Sequence, residues 1–501
     1  MRRTLPFPAA LLALAVLLTA CTPSPSATLA ITGVTLIDGT GRGPRGPVTV
    51  LVDGERIAAV GPAAEVVVPA GAEVVDGAGR FLIPGLWDAH VHLAYDPDEP
   101  FAPEDRLPMY LAYGVVGVRD MGSDPERIAA LEAAVASGEV PGPAIVSPGP
   151  YLDGPQPERS AVVPVATAEE ARAAARRLMS GGADFLKVQA GLSRDAYFAI
   201  LEEASALGVP VYGHVPDALT AAEVARAGQR STEHLSPALP SDGAIFFSCS
   251  AREEELRREL AAIDAAREAG DADREELRER TRALQRALLD SYDEEKAVAL
   301  FATLRAEGVR VVPTLVWSRS YSPPDPELPD ELALGVLPPA ERKRWQEIWE
   351  RYFDTADADT LELNARLDLA SRDLAGDLHH AGVTLLAGSD STFGFVLPGD
   401  SLHRELELLV AAGLSPEEAI VAATRSVAEV LGRLGDAGTV EAGKVADLLL
   451  LDADPLADVR NTRGIRAVVR GGVLCRRADL DRMLERGSRA NVAAADRPSA
   501  T

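Results

Sequence analysis

Two histidines two residues apart, in Pro84-Gly85-Leu86-Trp87-Asp88-Ala89-His90-Val91-His92, carry the clearest chemical signal of the chain. Alternate residues of a strand point to one face, so His90 and His92 project together and suit a single metal ion. The seven histidines lie at 90, 92, 214, 234, 379, 380 and 403. His214 sits in Val209-Pro210-Val211-Tyr212-Gly213-His214-Val215, and His234 ends Gln229-Arg230-Ser231-Thr232-Glu233-His234. Each follows a helical stretch and a glycine that would close it. Asp390 arrives at the end of an apolar run over 382 to 390 and adds a carboxylate. Each histidine alone reads more readily as a satisfied core or surface residue. The ordered set, every member at the end of a strand-like run, reads as a metal site. His379 and His380 fall on a helix, where solvation is the expected role, and His403 is left open between touching substrate and pinning a helix.

The elements that must position these residues repeat one grammar: helix, glycine, apolar strand, polar residue. A (β/α)8 barrel requires this, because its active-site residues come from the C-terminal ends of several strands. Eight strands are expected at 82 to 92, 114 to 120, 144 to 148, 184 to 189, 209 to 215, 230 to 235, 309 to 316 and 383 to 390, with amphipathic helices between most pairs. The fold class is therefore α/β.

Taken with Gly117-Val118-Arg119-Asp120-Met121-Gly122, Gly182-Ala183-Asp184-Phe185-Leu186-Lys187-Val188, Ala387-Gly388-Ser389-Asp390 and the C-terminal Gly438-Thr439-Val440-Glu441-Ala442-Gly443-Lys444-Val445-Ala446-Asp447, these motifs resemble the metal-dependent amidohydrolase superfamily, in its imidazolonepropionase-like and prolidase-like branch. The resemblance spans nearly the whole chain after the leader. It implies a small composite β-sandwich, built from residues 28 to 80 and from a return segment at 426 to 475, around a barrel domain at 81 to 425. It also implies that Lys187 is carboxylated and bridges two divalent metal ions, one held by His90, His92 and Asp390 and the other by His214 and His234. A bare ammonium in that apolar strand could not coordinate a cation and would be costly to bury. Imidazole and carboxylate donors suit Zn²⁺, with Mn²⁺, Fe²⁺ and Co²⁺ as alternatives.

Such a centre lowers the pKa of a bound water toward ~7 and polarises a carbonyl. Asp390 is then the catalytic residue, general base and afterwards general acid. The expected function is hydrolysis of C–N bonds in a small-molecule substrate, dipeptide, N-acyl amino acid or cyclic amide. A lactone or organophosphate hydrolase would use the same centre, and a non-catalytic envelope binding protein is the reading from another class. Tyr151 and Tyr212 lie nearest the expected mouth and are candidates for substrate contact, along with His403. The chain departs from peptidase-type relatives, which carry a histidine-containing loop after strand 3 and a Ser-Gly-Gly turn after strand 4. Here no histidine stands between 92 and 214.

Composition supplies the setting. Met1-Arg2-Arg3-Thr4, an apolar run to Leu18 and then Leu18-Thr19-Ala20-Cys21 resemble a bacterial lipoprotein signal over residues 1 to 20. Cys21 would carry the lipid, residues 21 to 27 would form a tether, and the protein would sit in the cell envelope, on a periplasmic or extracellular face. The run is too short to span a membrane comfortably. Losing Arg2 and Arg3 moves the formal charge from −26 to −28, which argues against nucleic acid as a partner. The remaining Cys249 and Cys475 are too few for a disulfide framework.

Residues 250 to 300 are rich in Glu, Arg, Ala and Leu with many opposite charges four apart, as a helical hairpin inserted on the active-site side would be. With the long connection over 318 to 380 it could form a lid, shell helices or the face of a homo-oligomer. Residues 476 to 501 read as a terminal helix or a frayed tail.

Overall fold

The computed structural model describes residues 27–95, 101–156, 160–238, 242–270, 273–323, 334–391 and 395–490. The leader, Cys21 and residues 491–501 lie outside the described residues.

The first strands, β1 (Leu29–Leu36), β2 (Arg45–Asp53), β3 (Arg56–Pro62), β4 (Glu73–Asp76) and β5 (Phe81–Pro84), share one eight-stranded sheet with three strands from the C-terminal end. β5 runs parallel to β1 on one side and antiparallel to β15 (Leu448–Leu451) on the other. Its single alternation of faces delivers Leu82 to a small core with Ile31, Val50, Leu448 and Val469. The stretch expected as one barrel strand over 82 to 92 is therefore two strands. Gly85 separates them, because a Cβ there would meet Val116 at 2.4 Å.

The barrel follows. β6 (Leu86–Val91), β7 (Val115–Asp120) and β8 (Ala144–Val146) form one parallel sheet. A second is built from β9 (Tyr151–Asp153), β10 (Val162–Pro164), β11 (Leu186–Val188), β12 (Val211–Gly213), β13 (Ser231–Glu233) and β14 (Arg310–Val312). Residues 383–391 take the place of the eighth strand. They form no regular strand, yet backbone bonds tie them to both neighbours: Leu386 N donates to Val311 O at 2.9 Å and Ala89 N to Ala387 O at 2.9 Å. The opposite seam, between β8 and β11, is bridged where Asp184 N donates to Ser147 O at 2.9 Å. The ring thus does not close as one continuous ladder. β9, in the stretch expected to be a loop, lies beside β11 at this seam.

Helices between the strands pack an aliphatic core that includes Leu107, Ile200, Val224, Leu304 and Leu406. Thr167 and Thr220 cap their helices through reciprocal bonds with Glu170 and Glu223. Gly208 and Gly228 close the helices before β12 and β13 in the left-handed conformation, as the sequence pattern requires.

The inserted hairpin consists of helices over Glu253–Ala269 and Arg274–Asp290 with a core of their own, including Leu256, Leu260, Ile263, Leu284 and Leu288. Gln285 Nε2 donates to Ala238 O at 2.7 Å and Arg257 Nη1 to Asp217 O at 3.2 Å, so the hairpin grips the loops that follow β12 and β13. β16 (Ile465–Arg470) and β17 (Val473–Arg476) complete the first sheet, and a helix over Arg477–Ala490 ends the described chain. Cys249 is buried, Cys475 is half-buried, and neither forms a disulfide.

Candidate metal centre

Strand alternation brings His90 and His92 to the same face of β6 and its end, with ring centroids 5.3 Å apart. Gly122 O accepts a hydrogen bond from His92 Nδ1 at 3.0 Å. A carbonyl can only accept, so the proton sits on Nδ1 and the Nε2 lone pair faces inward. His90 Nδ1 lies 2.9 Å from Glu233 Oε2, which fixes the same tautomer there. The two Nε2 atoms stand 3.5 and 3.6 Å from Asp390 Oδ1.

The other half of the site comes from β12 and β13. His214 Nε2 is 3.2 Å from Asp242 Oδ1, and the rings of His214 and His234 are 4.8 Å apart. His234 Nδ1 meets Thr314 Oγ1 at 2.8 Å. Two groups of donors result, His90 with His92 and Asp390, and His214 with His234 and Asp242, each with donor atoms within 4.8 Å of one another. The ring of His234 lies 4.7 Å from that of His90, so the groups adjoin.

Among the described residues, only His234, Thr314 and Asp390 combine a side chain with a left-handed backbone, at φ of 66°, 48° and 59°. All three end barrel strands at the site, where strain of this kind concentrates. Glu233 points inward to His90 and Arg119, so plain alternation would send His234 outward. The left-handed turn at His234 returns its ring to the site.

Lys187 is buried on β11 beside these groups. Burial, then Arg119, pulls its ammonium down to about 8 against the opposing pull of Glu233 and Asp390. Gly213 is required next to it: a Cβ there would meet Val188 O at 2.2 Å and Lys187 Cδ at 2.9 Å. Burial lowers His92 and His234 to about 3 and raises the Asp390 carboxyl well above the ordinary range, with Asp242 adding to the rise.

The donor set fits divalent cations. His90 Nε2, His214 Nδ1 and Asp390 Oδ1 are buried and have no hydrogen-bond partner. Electron-rich atoms converging without donors are costly unless a cation lies between them.

All six expected ligand residues, His90, His92, Lys187, His214, His234 and Asp390, are buried at this one end of the barrel. Tyr151 also belongs to it: its hydroxyl is 3.2 Å from that of Tyr95, whose ring lies 5.6 Å from His92. Two expectations are corrected. Tyr212 does not line the mouth; it lies deeper, with Arg119 over its ring at 5.0 Å and its hydroxyl donating to Val430 O at 2.6 Å. His403 does not face substrate, because Thr462 Oγ1 at 2.9 Å and Tyr113 O at 2.8 Å occupy its two nitrogens.

Sequence reasoning missed four residues. Asp242 stands eight positions after His234, with no periodicity to flag it. Glu233 and Arg119 form a fully buried ion pair at 2.8 Å, and an Arg inside a strand-like run was the available signal. Tyr95 lies three residues after His92.

The profile of the amidohydrolase family matches residues 81–245 and 324–475, more than half of the chain, and the chain belongs to that family. The unmatched stretch between them contains the helical hairpin. An imidazolonepropionase from Rubrobacter xylanophilus is 27% identical over 465 residues, covering 85% of this chain and 91% of that one. A protein from Bifidobacterium longum, provisionally described as a prolidase, shares 25% identity with a TM-score of 0.62, covering 92% of this chain and 99% of the other. A bottromycin amidohydrolase superposes with a TM-score of 0.67 at 24% identity, over 93% and 90% of the two chains.

Proposed function

We propose, with membership of the amidohydrolase family as the premise, that this chain is a binuclear metal-dependent hydrolase that cleaves amide, peptide or cyclic-amide bonds in small molecules. Hydrolysis of C–N bonds is the activity that the family and its imidazolonepropionase and prolidase-type relatives carry. The single observation behind the finer reading is the convergence of two three-residue donor groups on one buried point.

His90, His92 and Asp390 would hold one divalent ion, and His214 and His234, with Asp242 as a further donor, the second. Lys187, as a carbamate, would be shared between them, and zinc suits the donors. When bound, such ions supply an acidified water and polarise the scissile carbonyl. The chain supplies the rest. Asp390 takes the water proton on a carboxylate oxygen and returns it to the leaving nitrogen. Glu233 and Gly122 O hold the two histidines in the tautomer that leaves Nε2 free to ligate. Tyr95 and Tyr151 wall the mouth beside His92, and the inserted hairpin holds the loops that follow the strands carrying His214 and His234.

We also propose that Cys21 is lipidated and tethers the enzyme to the envelope membrane. Among the described residues no helix is long and apolar enough to cross a membrane.

The test is hydrolysis of a panel of dipeptides, N-acyl amino acids, cyclic amides and lactones by the chain beginning at Thr22, supplied with zinc and bicarbonate. Asp390→Asn is the control, since Asn tolerates a left-handed backbone. Turnover of a C–N substrate that the variant loses supports the reading. Faster cleavage of lactones than of any amide, or a protein that binds no metal, overturns it.

A further inference from the structure

Asp390 is held in a strained place. Its backbone is left-handed, at φ 59°, and its Oδ1 stands 3.5 and 3.6 Å from the Nε2 atoms of His90 and His92. A residue with a side chain keeps such a conformation only where its surroundings over-determine it. Gly388 lets the segment come close enough to β6, since a Cβ there would meet Val312 Cγ1 at 2.6 Å and His90 N at 3.0 Å.

Side chains do much of the fixing. Beyond Ala387 the backbone ladder to β6 is interrupted at Ser389, whose N–H donates to Asp88 Oδ1 at 2.9 Å instead of to a carbonyl. Ser389 Oγ donates to the other Asp88 oxygen at 2.5 Å and accepts from Ser391 N at 3.2 Å. One hydroxyl thus ties together the residues on either side of Asp390, a local turn of the kind serine side chains form. The ladder then resumes: Asp390 N donates to His90 O at 2.8 Å and His92 N to Ser391 O at 2.6 Å. Tyr110, on the helix over Pro103–Ala112, meets Ser391 Oγ at 2.5 Å. Asp88 also accepts from His90 N at 3.2 Å, so its carboxylate is committed to protein donors. Asp88, Ser389, Ser391 and Tyr110 are all fully buried.

We propose that Asp88 and Ser389 are positioning residues for Asp390: they fix the left-handed turn that aims its carboxylate at His90 and His92, and so set the affinity of the ion held there. The proposal rests on the reading of these three residues as metal ligands. A network that only braced the barrel seam would matter equally with or without the Asp390 carboxylate. A network that aims the carboxylate matters only while the carboxylate is present.

The test is a double-mutant cycle on zinc affinity, read by chelator competition on the full chain loaded with zinc and bicarbonate. Asp390→Asn identifies the ion that depends on this carboxylate. Asp88→Asn and Ser389→Ala should each weaken the same ion roughly 10–100-fold. In the Asp390→Asn background neither change should weaken it further, because residues that act through one another are not additive. Ser389→Ala deletes a single hydroxyl and serves if Asp88→Asn does not fold. Wild-type affinity in either variant overturns the proposal, and so does a loss of equal size in both backgrounds, which leaves the metal centre standing. If Asp390→Asn weakens neither ion, Asp390 is not a ligand and the reading beneath the proposal falls with it. Turnover is read separately: a protein that shows the expected cycle and hydrolyses nothing in the substrate panel loses the hydrolase reading and keeps the positioning pair.

Discussion

Glu233 stands between His90 and Arg119, its Oε2 2.9 Å from the histidine Nδ1 and 2.8 Å from the guanidinium Nη2. All three side chains are buried, and Ser231 Oγ donates to the other carboxylate oxygen at 2.5 Å. One carboxylate therefore neutralises a buried arginine and orients a candidate metal ligand. Glu233→Gln should keep the shape and lose the charge. Metal affinity is expected to fall roughly 10–100-fold, measured by competition with a chelator. Glu233→Ala should cost about 3–5 kcal/mol of stability as well, because Arg119 is left as an uncompensated buried charge.

Removal of metal should abolish hydrolysis and lower the melting temperature, since ligands that bind only the folded state stabilise it by mass action. Zinc with bicarbonate should restore both. Labelled bicarbonate should give a carbamate carbon signal in the restored enzyme and none in Lys187→Met.

Glu405 should make stability fall as pH rises. Its folded value, about 8, lies above the ordinary 4.5, so its contribution is complete below the lower value and is lost as pH climbs through the upper one. Asp217, raised to about 7 by burial, acts in the same direction. Glu405→Gln should remove a slope of at most about 1.4 kcal/mol per pH unit between roughly pH 5 and 8. Denaturant melts of both proteins across that range measure it, and parallel curves would contradict the assignment.

Tyr151 and Tyr212 should respond differently to loss of a hydroxyl. Tyr151→Phe is expected to raise KM several-fold with kcat little changed, because it alters the wall beside His92. Tyr212→Phe should leave both constants alone and cost about 1 kcal/mol in denaturant melts, the worth of its bond to Val430 O.

Much of the fold was legible because its signals are local. Glycines such as Gly208 and Gly228 close the helices that precede them, and strand-like runs ending in His214, His234 and Asp390 mark strand ends without reference to the rest of the molecule. The run over 82 to 92 was harder. Periodicity does not record that Phe81–Pro84 pairs with Leu448–Leu451, more than three hundred residues away, while Leu86–Val91 pairs with Val115–Asp120. Residues 383–391 carry a strand's composition and lie where a strand should, but strained backbone at Asp390 replaces a regular ladder.

By itself the sequence determined the candidate ligand types, their order and the strand-like runs that end in them, since side-chain chemistry and two-residue periodicity are properties of neighbouring residues. Only the tertiary structure decided which polar groups meet. Asp242 joins His214 and His234 from the segment after β13, Glu233 and His234 share the site against strand alternation, and Tyr212 and His403 are spent on backbone carbonyls and a threonine. Each of these depends on what another segment brings into reach, and the packing of distant chain segments is not written in the spacing of any one of them.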